Sequence, residues 1–144
     1  MHALLQRVTE AAVSVDGAQV GSIGHGLLIF VGVFPNDTAD IAKRLADRAV
    51  DLRIFADANK PMNRSVVDVA GEVLVVSQFT LAADTSSGRR PSFDSAAPPV
   101  QAQLLYGDFI ERIRVRLGKV ATGQFGADMR VSLVNDGPVT FLLS

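Results

Sequence analysis

The strongest constraint on the fold is the alternation of short apolar runs with turn residues, which leaves only two segments with helical spacing. The strand-like runs cover residues 3–8, 12–15, 19–23, 27–31, 53–55, 72–76, 130–134 and 139–143. Asp16-Gly17 separates two of them, and this dipeptide favours the positive φ angles of a tight hairpin. The pattern predicts a sheet-rich α/β fold in which two β layers are covered by one layer of two main helices (β/β/α).

The two helical segments are marked by their start signals and by the spacing of apolar residues. Asn36-Asp37-Thr38 offers capping side chains for a helix over residues 39–52. Pro98 and Pro99 suit the first turn of a second helix that ends near Leu117. We expect the second helix to pack on the sheet through an apolar stripe formed by Leu104, Leu105, Phe109, Ile113 and Leu117.

Composition excludes several classes of protein and of chemistry. The 144 residues are 48% hydrophobic, which predicts one compact domain with a real core over residues 1–144. Cysteine is absent and there are only two histidines, so disulfides, thiolate nucleophiles and Cys- or His-rich metal sites are not expected. The longest apolar run, residues 27–33, is too short to cross a membrane, and we expect a cytoplasmic protein without a cofactor. The net charge of −1 argues against holding nucleic acid by bulk electrostatics.

The first candidate site is a polar cluster at the end of a strand. Ser77 and Gln78 follow directly on the strand-like run of residues 72–76, and Thr80 comes two residues later. Hydroxyl groups can act as nucleophiles or donors, and an amide can polarise a carbonyl group. The alternative is that these are ordinary polar residues on the exposed face of a strand. Because neither His2 nor His25 lies in a telling context, a Ser-His-Asp triad is hard to build, and an already activated substrate such as an aminoacyl ester fits better.

The second candidate site is the segment Asn135-Asp136-Gly137-Pro138-Val139-Thr140. Gly-Pro between two strands is usually a tight turn. The alternative is that Gly137 lets the main chain approach a ligand while Pro138 fixes the direction of its carbonyl group.

The sequence leaves the roles of two basic groups and of two apolar residues open. Arg112, Arg114, Arg116 and Lys119 could meet phosphates, although cations at a helix C-terminus also complement its dipole, which is the interpretation we favour. The loop Gly88-Arg89-Arg90-Pro91 is close in sequence to Ser77 and is a second candidate phosphate contact. Phe125 and Met129 read as core residues on their spacing alone.

Taken together, the two motifs resemble the signatures of a known family, the D-aminoacyl-tRNA deacylases. Ser77-Gln78-Phe79-Thr80-Leu81 and Asn135-Asp136-Gly137-Pro138-Val139-Thr140 stand in the family's order, and the similarity covers essentially the whole chain. The resemblance implies hydrolysis of the ester of D-aminoacyl-tRNA, and also of glycyl-tRNA, by a homodimer with its active sites at the subunit interface. It implies no cofactor and no membrane partner.

The resemblance also implies roles for individual residues. Gly137 and Pro138, joined by a cis bond, would enter the partner's site, bind the α-amino group through their carbonyls and leave no room for an L side chain. Arg7 would hold these carbonyls in place. The reaction centre would be lined by Ser77, Gln78, Phe79 and Thr80, and Phe125 and Met129 would hold the terminal adenine of the tRNA. Thr80 is either a nucleophile or a contact in a reaction assisted by the 2′-hydroxyl; the missing base favours the second.

Two other functions remain open on the residues themselves. One is a hydrolase of small D-amino acid esters or amides, with Thr80 or Ser77 as the nucleophile. The other is an RNA-binding module without catalytic activity, which the net charge disfavours.

Overall fold

A computed structural model describes residues 1–144 and contains six strands, two α-helices and a short 3₁₀ helix. The predicted sheet-rich α/β fold with two main helices is confirmed, and the six strands form one nearly closed sheet. No helix combines the length and the apolar content that a membrane span requires. The elements in chain order are β1 (His2–Val15), β2 (Ala18–Ile23), β3 (Gly26–Gly32), α1 (Ala39–Asp51), β4 (Glu72–Ser77), the 3₁₀ helix (Phe79–Ala82), α2 (Pro99–Leu117), β5 (Ala121–Thr122) and β6 (Arg130–Leu143).

The sheet is organised around the long strand β1. On one side β1 pairs antiparallel with β3 over its first half and with β2 over its second half. On its other side it pairs antiparallel with β6. Strands β3, β4 and β5 follow one another in parallel, so the strand order is β2-β1-β3-β4-β5 with β6 beside β1. The C-terminal ends of β3 and β4 therefore lie side by side.

The predicted hairpin at Asp16-Gly17 is confirmed. Val15 pairs with Ala18, and the two residues between them have φ angles of 50° and 80°. Positive φ at both central positions is what a type I′ turn requires, and it matches the twist of the flanking strands.

The two helices lie where their capping residues predict. The side-chain oxygen of Thr38 accepts a hydrogen bond from the Ile41 N–H at the start of α1, and α2 begins at Pro99 and ends before Gly118 in the left-handed conformation. Both helices pack over the main core, which contains 24 buried residues. The predicted stripe of α2 is wrong at Leu104, which is 68% exposed, because Tyr106 and Ile110 occupy the buried face instead.

The strand prediction is wrong in three places. In two of them, two predicted strands are one continuous strand, and in the third no strand forms. Residues 3–8 and 12–15 belong to the single strand β1, and residues 130–134 and 139–143 to the single strand β6, because the two long strands pair along most of their length. Residues 53–55 form no strand; Phe55 makes only an isolated bridge to Arg64.

Strand β6 carries a large irregularity opposite Arg7. Gln6 pairs with Thr140 and Val8 pairs with Asn135, so four residues of β6 face one residue of β1. The Thr140 hydroxyl donates to the Gln6 side-chain oxygen at 2.8 Å and closes one end of this bulge. Because Pro138 has no N–H to donate to a ladder, it is accommodated where pairing is interrupted.

Candidate active site

A pocket of about 460 Å³ lies at the C-terminal ends of β3 and β4. Its walls come from these two strands, from the start of α2 and from the segment that precedes β6, and eleven of its fifteen lining residues are hydrophobic. The lining residues that matter for the argument are Ser77, Gln78 and Phe79 on one wall and Phe125 and Met129 on another. An apolar cavity with a few polar groups at one end is the usual form of a small-ligand site.

The polar end of the pocket is created where β4 stops being a strand. The Gln78 N–H still donates to the Val31 carbonyl at 2.8 Å, and the chain then turns into the 3₁₀ helix. The Gln78 side-chain amide donates to the Thr80 hydroxyl at 2.5 Å. Ser77, Gln78, Phe79 and Thr80 are thus brought together, with the exposed Thr80 at the rim rather than among the lining residues.

The apolar end of the pocket is supported from behind by Tyr106. The Phe125 ring lies 5.8 Å from the Tyr106 ring, centroid to centroid. The Tyr106 hydroxyl donates to the Val75 carbonyl at 2.9 Å, and the Gly123 N–H donates to the same carbonyl at 3.0 Å. Burial raises the pKa of Tyr106 to about 12, with a main-chain hydrogen bond from Ser77 acting in the opposite direction. Tyr106 therefore joins the end of β4 to the wall that contains Phe125.

Gly137 and Pro138 do not line this pocket. They lie in the bulge of β6, their peptide bond is cis, and Gly137 has a φ of 128°. Arg7, opposite the bulge, aligns with Leu27 on β3, which aligns with Val73 on β4. The path from the bulge to Ser77 therefore crosses three strand spacings, from β6 through β1 and β3 to β4, and then runs four residues along β4 from Val73 to Ser77. These two components together correspond to roughly 20 Å along the sheet surface.

Arg7 contacts the segment that contains Gly137. Its Nε donates to the Asp136 carbonyl at 3.1 Å, and its Nη1 donates to the Ile54 carbonyl at 2.7 Å. The predicted partners were the carbonyls of Gly137 and Pro138; the observed contact is with the carbonyl that precedes Gly137.

No side-chain base lies in the pocket of one chain. His2 packs edge-on against Phe34, and His25 packs edge-on against Phe55. No Asp or Glu lines the pocket, and no group of three or more His, Asp or Glu side chains is placed to hold a metal ion. The pocket can bind and orient a ligand, but its own side chains offer only hydroxyl and amide groups.

Comparison with known proteins decides the family. The family model described as D-Tyr-tRNA(Tyr) deacylase matches residues 4–144. A protein of Cellvibrio japonicus named D-aminoacyl-tRNA deacylase is 56% identical over 143 residues, covering 99% of this chain and 98% of its own length. A protein of Roseiflexus castenholzii with the same name is 58% identical over 144 residues, covering 99% of this chain and 91% of its own length.

The chain belongs to the D-Tyr-tRNA(Tyr) deacylase family. The family predicted from the two motifs is thereby confirmed, and with it the enzyme class, a hydrolase that bears the name D-aminoacyl-tRNA deacylase in these relatives.

Solved structures show the same fold as this member of the deacylase family. One, titled c-Myc DNA Unwinding Element Binding Protein, superposes with a TM-score of 0.94 at 39% identity and covers 100% of this chain and 98% of its own. Another, titled as a probable eukaryotic D-amino acid tRNA deacylase, has a TM-score of 0.86 at 17% identity and covers 99% of this chain and 97% of its own.

The basic group at the end of α2 in this family member is occupied by ion pairs. Arg112 and Arg116 both bind Asp47 of α1 at 2.8 Å, and Arg116 also binds Asp51. The hydrogen bond from Arg112 is the largest cause that lowers the pKa of Asp47. Arg114 pairs with Glu111, and Lys119 with Glu72. Arg112, Arg116 and Lys119 thus join different elements of the fold, whereas Arg114 pairs within α2.

Tyr106 is the residue near the site that the sequence interpretation missed. It is the only tyrosine of the chain and lies between apolar positions of α2. A buried tyrosine hydroxyl requires a hydrogen-bond partner, so its place on an inward-facing helix was a signal that it contacts main chain of the sheet.

Proposed function

We propose that the chain hydrolyses the ester bond of D-aminoacyl-tRNA, and of glycyl-tRNA, as a homodimer in which each active site is built from both subunits. One observation carries this proposal: the two motifs lie roughly 20 Å apart along the sheet of one chain, with the pocket at one of them only. A second copy would supply Gly137 and Pro138 to the pocket that contains Ser77 and Gln78.

The pocket suits the aminoacylated end of a tRNA. Its volume of about 460 Å³ is within the range of sites that hold small ligands. Phe125 and Met129 offer an apolar surface for the terminal adenine. Ser77 and Gln78, which line the same pocket, offer polar groups for the ester and the ribose. The net charge of −1 agrees with an enzyme that binds mainly this end of the RNA.

The free edge of β6 is the surface that supports the homodimer. β6 is hydrogen-bonded to β1 on one side only and has no strand on the other. Val134, Phe141 and Leu142 on this strand are exposed. A long edge strand with exposed apolar residues is normally covered, since it otherwise promotes uncontrolled association. The bulge that holds Gly137 and Pro138 is on the same edge.

Chirality would be selected by exclusion. The carbonyls of Gly137 and Pro138 would bind the α-amino group of the substrate and occupy the space that an L side chain requires. Because nothing has to recognise the D side chain, different D-aminoacyl esters would be accepted, and glycine, which has no side chain, would be accepted as well.

Catalysis would rest on orientation and on the substrate's own hydroxyl group. The Gln78 amide donates to the Thr80 hydroxyl, so this hydrogen bond does not take a proton from Thr80 and does not make it a nucleophile. Thr80 instead contacts the ester through its hydroxyl or through its N–H in the first turn of the 3₁₀ helix. Water adds to the carbonyl carbon with help from the 2′-hydroxyl, the bond to the 3′ oxygen breaks, and the proton goes to that oxygen.

Residues 1–144 act as one deacylase domain in the cytoplasm, with tRNA as the substrate and without a cofactor. Metal dependence is not expected; activity that is abolished by a chelator and restored by a divalent ion would contradict this.

The deciding experiment is amino acid release from matched D-Tyr-tRNA and L-Tyr-tRNA by the purified protein. We expect rapid loss of the D ester and sparing of the L ester, with a folded Gln78→Ala variant as the control for contaminating hydrolases. Cleavage of neither ester would overturn the proposal. A small D-amino acid ester cleaved through a trapped acyl group on Thr80 would favour the alternative hydrolase. Tight, strongly salt-dependent binding of uncharged tRNA without turnover would favour the RNA-binding module.

A further inference from the structure

A closed loop of nine residues projects from the rim of the pocket. Asp84 and Ser92 close its base with reciprocal main-chain hydrogen bonds of 2.8 and 2.9 Å. The Asp84 carboxylate accepts a hydrogen bond from the Ser86 N–H, which stabilises the first turn. Gly88, near the middle of the loop, has a φ of 68° that favours glycine. We call residues 84–92 the rim loop.

The rim loop is tied to the pocket at both of its ends. Before it, Phe79 lines the pocket, and after it, Ala96 and Ala97 line the pocket. The Phe79 and Phe93 rings contact each other with centroids 5.1 Å apart, and the Ser95 hydroxyl donates to the Ala82 carbonyl. The base of the loop is therefore held at the pocket mouth, and its tip reaches into solvent.

Two cations at the tip have no partner within the chain. Arg89 and Arg90 are exposed and make no hydrogen bond or ion pair. Most other cations of the chain are occupied: Arg7, Arg48, Arg53, Arg64, Arg112, Arg114, Arg116 and Lys119 each bind a carbonyl, an amide or a carboxylate. The acidic neighbours of the loop, Asp84 and Asp94, lie at its base or just beyond it.

We propose that Arg89 and Arg90 bind the phosphates of the nucleotides that precede the terminal adenosine of the substrate. This inference rests on the proposed function, since it concerns the strand that leaves the same pocket. The strand that leads to a nucleotide bound in the pocket has to leave through the pocket mouth, and the rim loop holds two adjacent guanidinium groups beside that mouth. Guanidinium groups bind phosphate oxygens through paired N–H donors.

The proposal also accounts for the charge of the protein. The net charge is −1 and most Lys and Arg side chains are paired within the chain, so contact with the RNA backbone is expected to depend on the few unpaired cations near the site. Two contacts of this kind predict a modest salt dependence, with a slope of about 0.7 per phosphate for a single strand.

The test compares two substrates that differ only in their phosphates. Wild type and the Arg89→Ala/Arg90→Ala double variant are measured on D-Tyr-tRNA and on D-tyrosyl-adenosine, which has no phosphate. We expect the double variant to lose roughly tenfold in kcat/KM on D-Tyr-tRNA, with a salt slope lower by about 1.4. Its kcat/KM on D-tyrosyl-adenosine should equal that of the wild type.

The matched control is the Lys43→Ala/Arg44→Ala double variant. Both residues are exposed on α1, and neither makes an ion pair, so the net charge changes by the same amount away from the pocket. The control should keep wild-type kcat/KM on both substrates. An equal loss in the control, or an equal loss of the rim-loop variant on both substrates, would overturn the inference.

A binding measurement separates this inference from the proposed function. If the wild type cleaves neither substrate, the proposed function fails, and binding of a short single-stranded RNA ending in adenosine still tests the phosphate contact. Weaker and less salt-dependent binding by the rim-loop variant than by the control supports the inference. Equal binding by all three proteins refutes it.

Discussion

Arg7 and Asp136 are joined by a two-part contact between the centre of the sheet and the bulge of β6. Arg7 Nε donates to the Asp136 main-chain carbonyl at 3.1 Å and lies 3.3 Å from its carboxylate. The other end of the same guanidinium binds the Ile54 carbonyl at 2.7 Å. Because only 13% of the Arg7 side chain is exposed, the contact fixes the main chain immediately before Gly137.

Replacing Arg7 should damage selection as well as stability. Arg7→Ala leaves two part-buried carbonyls without their donor, which costs about 1–3 kcal/mol of unfolding free energy. With Gly137 and Pro138 less firmly held, the ratio of kcat/KM for D-Tyr-tRNA over L-Tyr-tRNA should fall. Arg48→Ala, which removes an exposed contact to the Ser144 carbonyl, is the control and should keep the ratio. An unchanged ratio in Arg7→Ala would leave Arg7 a purely structural residue.

Gly137→Ala should inactivate the protein without unfolding it. The φ of 128° is unfavourable for alanine, and an added Cβ would lie 2.7 Å from a Val139 methyl group and 3.1 Å from Arg7 Nη2. We expect a loss of about 1–3 kcal/mol in stability and of about 100-fold in kcat from the displaced carbonyls. Circular dichroism and D-Tyr-tRNA turnover measure the two effects.

A site shared between subunits predicts complementation. Gly137→Ala and Gln78→Ala are each expected to be inactive, but a mixture that exchanges subunits should recover part of the activity, since one of the two sites in each mixed dimer is intact. The absence of recovery, in a mixture shown to exchange subunits, would contradict the shared site.

Tyr106→Phe should change the alkaline stability of the protein. Burial raises the pKa of Tyr106 to about 12 from an unfolded value near 10. The contribution of the protonated hydroxyl to the free energy of unfolding is therefore fully present below about pH 10 and is lost as the pH rises to about 12. The free energy of unfolding of the wild type should fall by about 3 kcal/mol over this interval through this ionisation, and that of the variant should not show this fall. The chain has no tryptophan and no other tyrosine, so tyrosinate absorbance reports this residue alone. A wild-type profile identical to that of the variant would show that ionisation of Tyr106 is not coupled to unfolding.

The cations at the end of α2 should contribute neither to turnover of D-Tyr-tRNA nor to its salt dependence. Arg112→Ala and Arg116→Ala remove part-exposed ion pairs to Asp47 and should cost about 1 kcal/mol or less in stability. Turnover of D-Tyr-tRNA and its salt dependence should stay at the wild-type level. A reduced salt slope in either variant would show that this surface meets phosphates after all.

Local patterns in the sequence were sufficient for the first hairpin, for the starts of both helices and for the family. Asp16-Gly17 predicted its hairpin because the φ angles of a two-residue turn depend on the residues in the turn itself. Thr38 and Pro99 marked helix starts for the same reason, since capping is a contact within one turn. The two motifs identified the family from their order along the chain alone.

Only the tertiary structure decided what depends on residues far apart in the chain. The continuity of β6 follows from its pairing with β1, which is distant in sequence, and Leu104 is exposed because the sheet meets the side of α2 that carries Tyr106. Strand order and packing likewise bring Phe125, Met129, Ser77 and Gln78 to one cavity. They also place Gly137 beside Arg7. A periodic pattern shows which side of an element is buried, but the free energy of burial is shared among many partners, and the pattern alone does not say which ones.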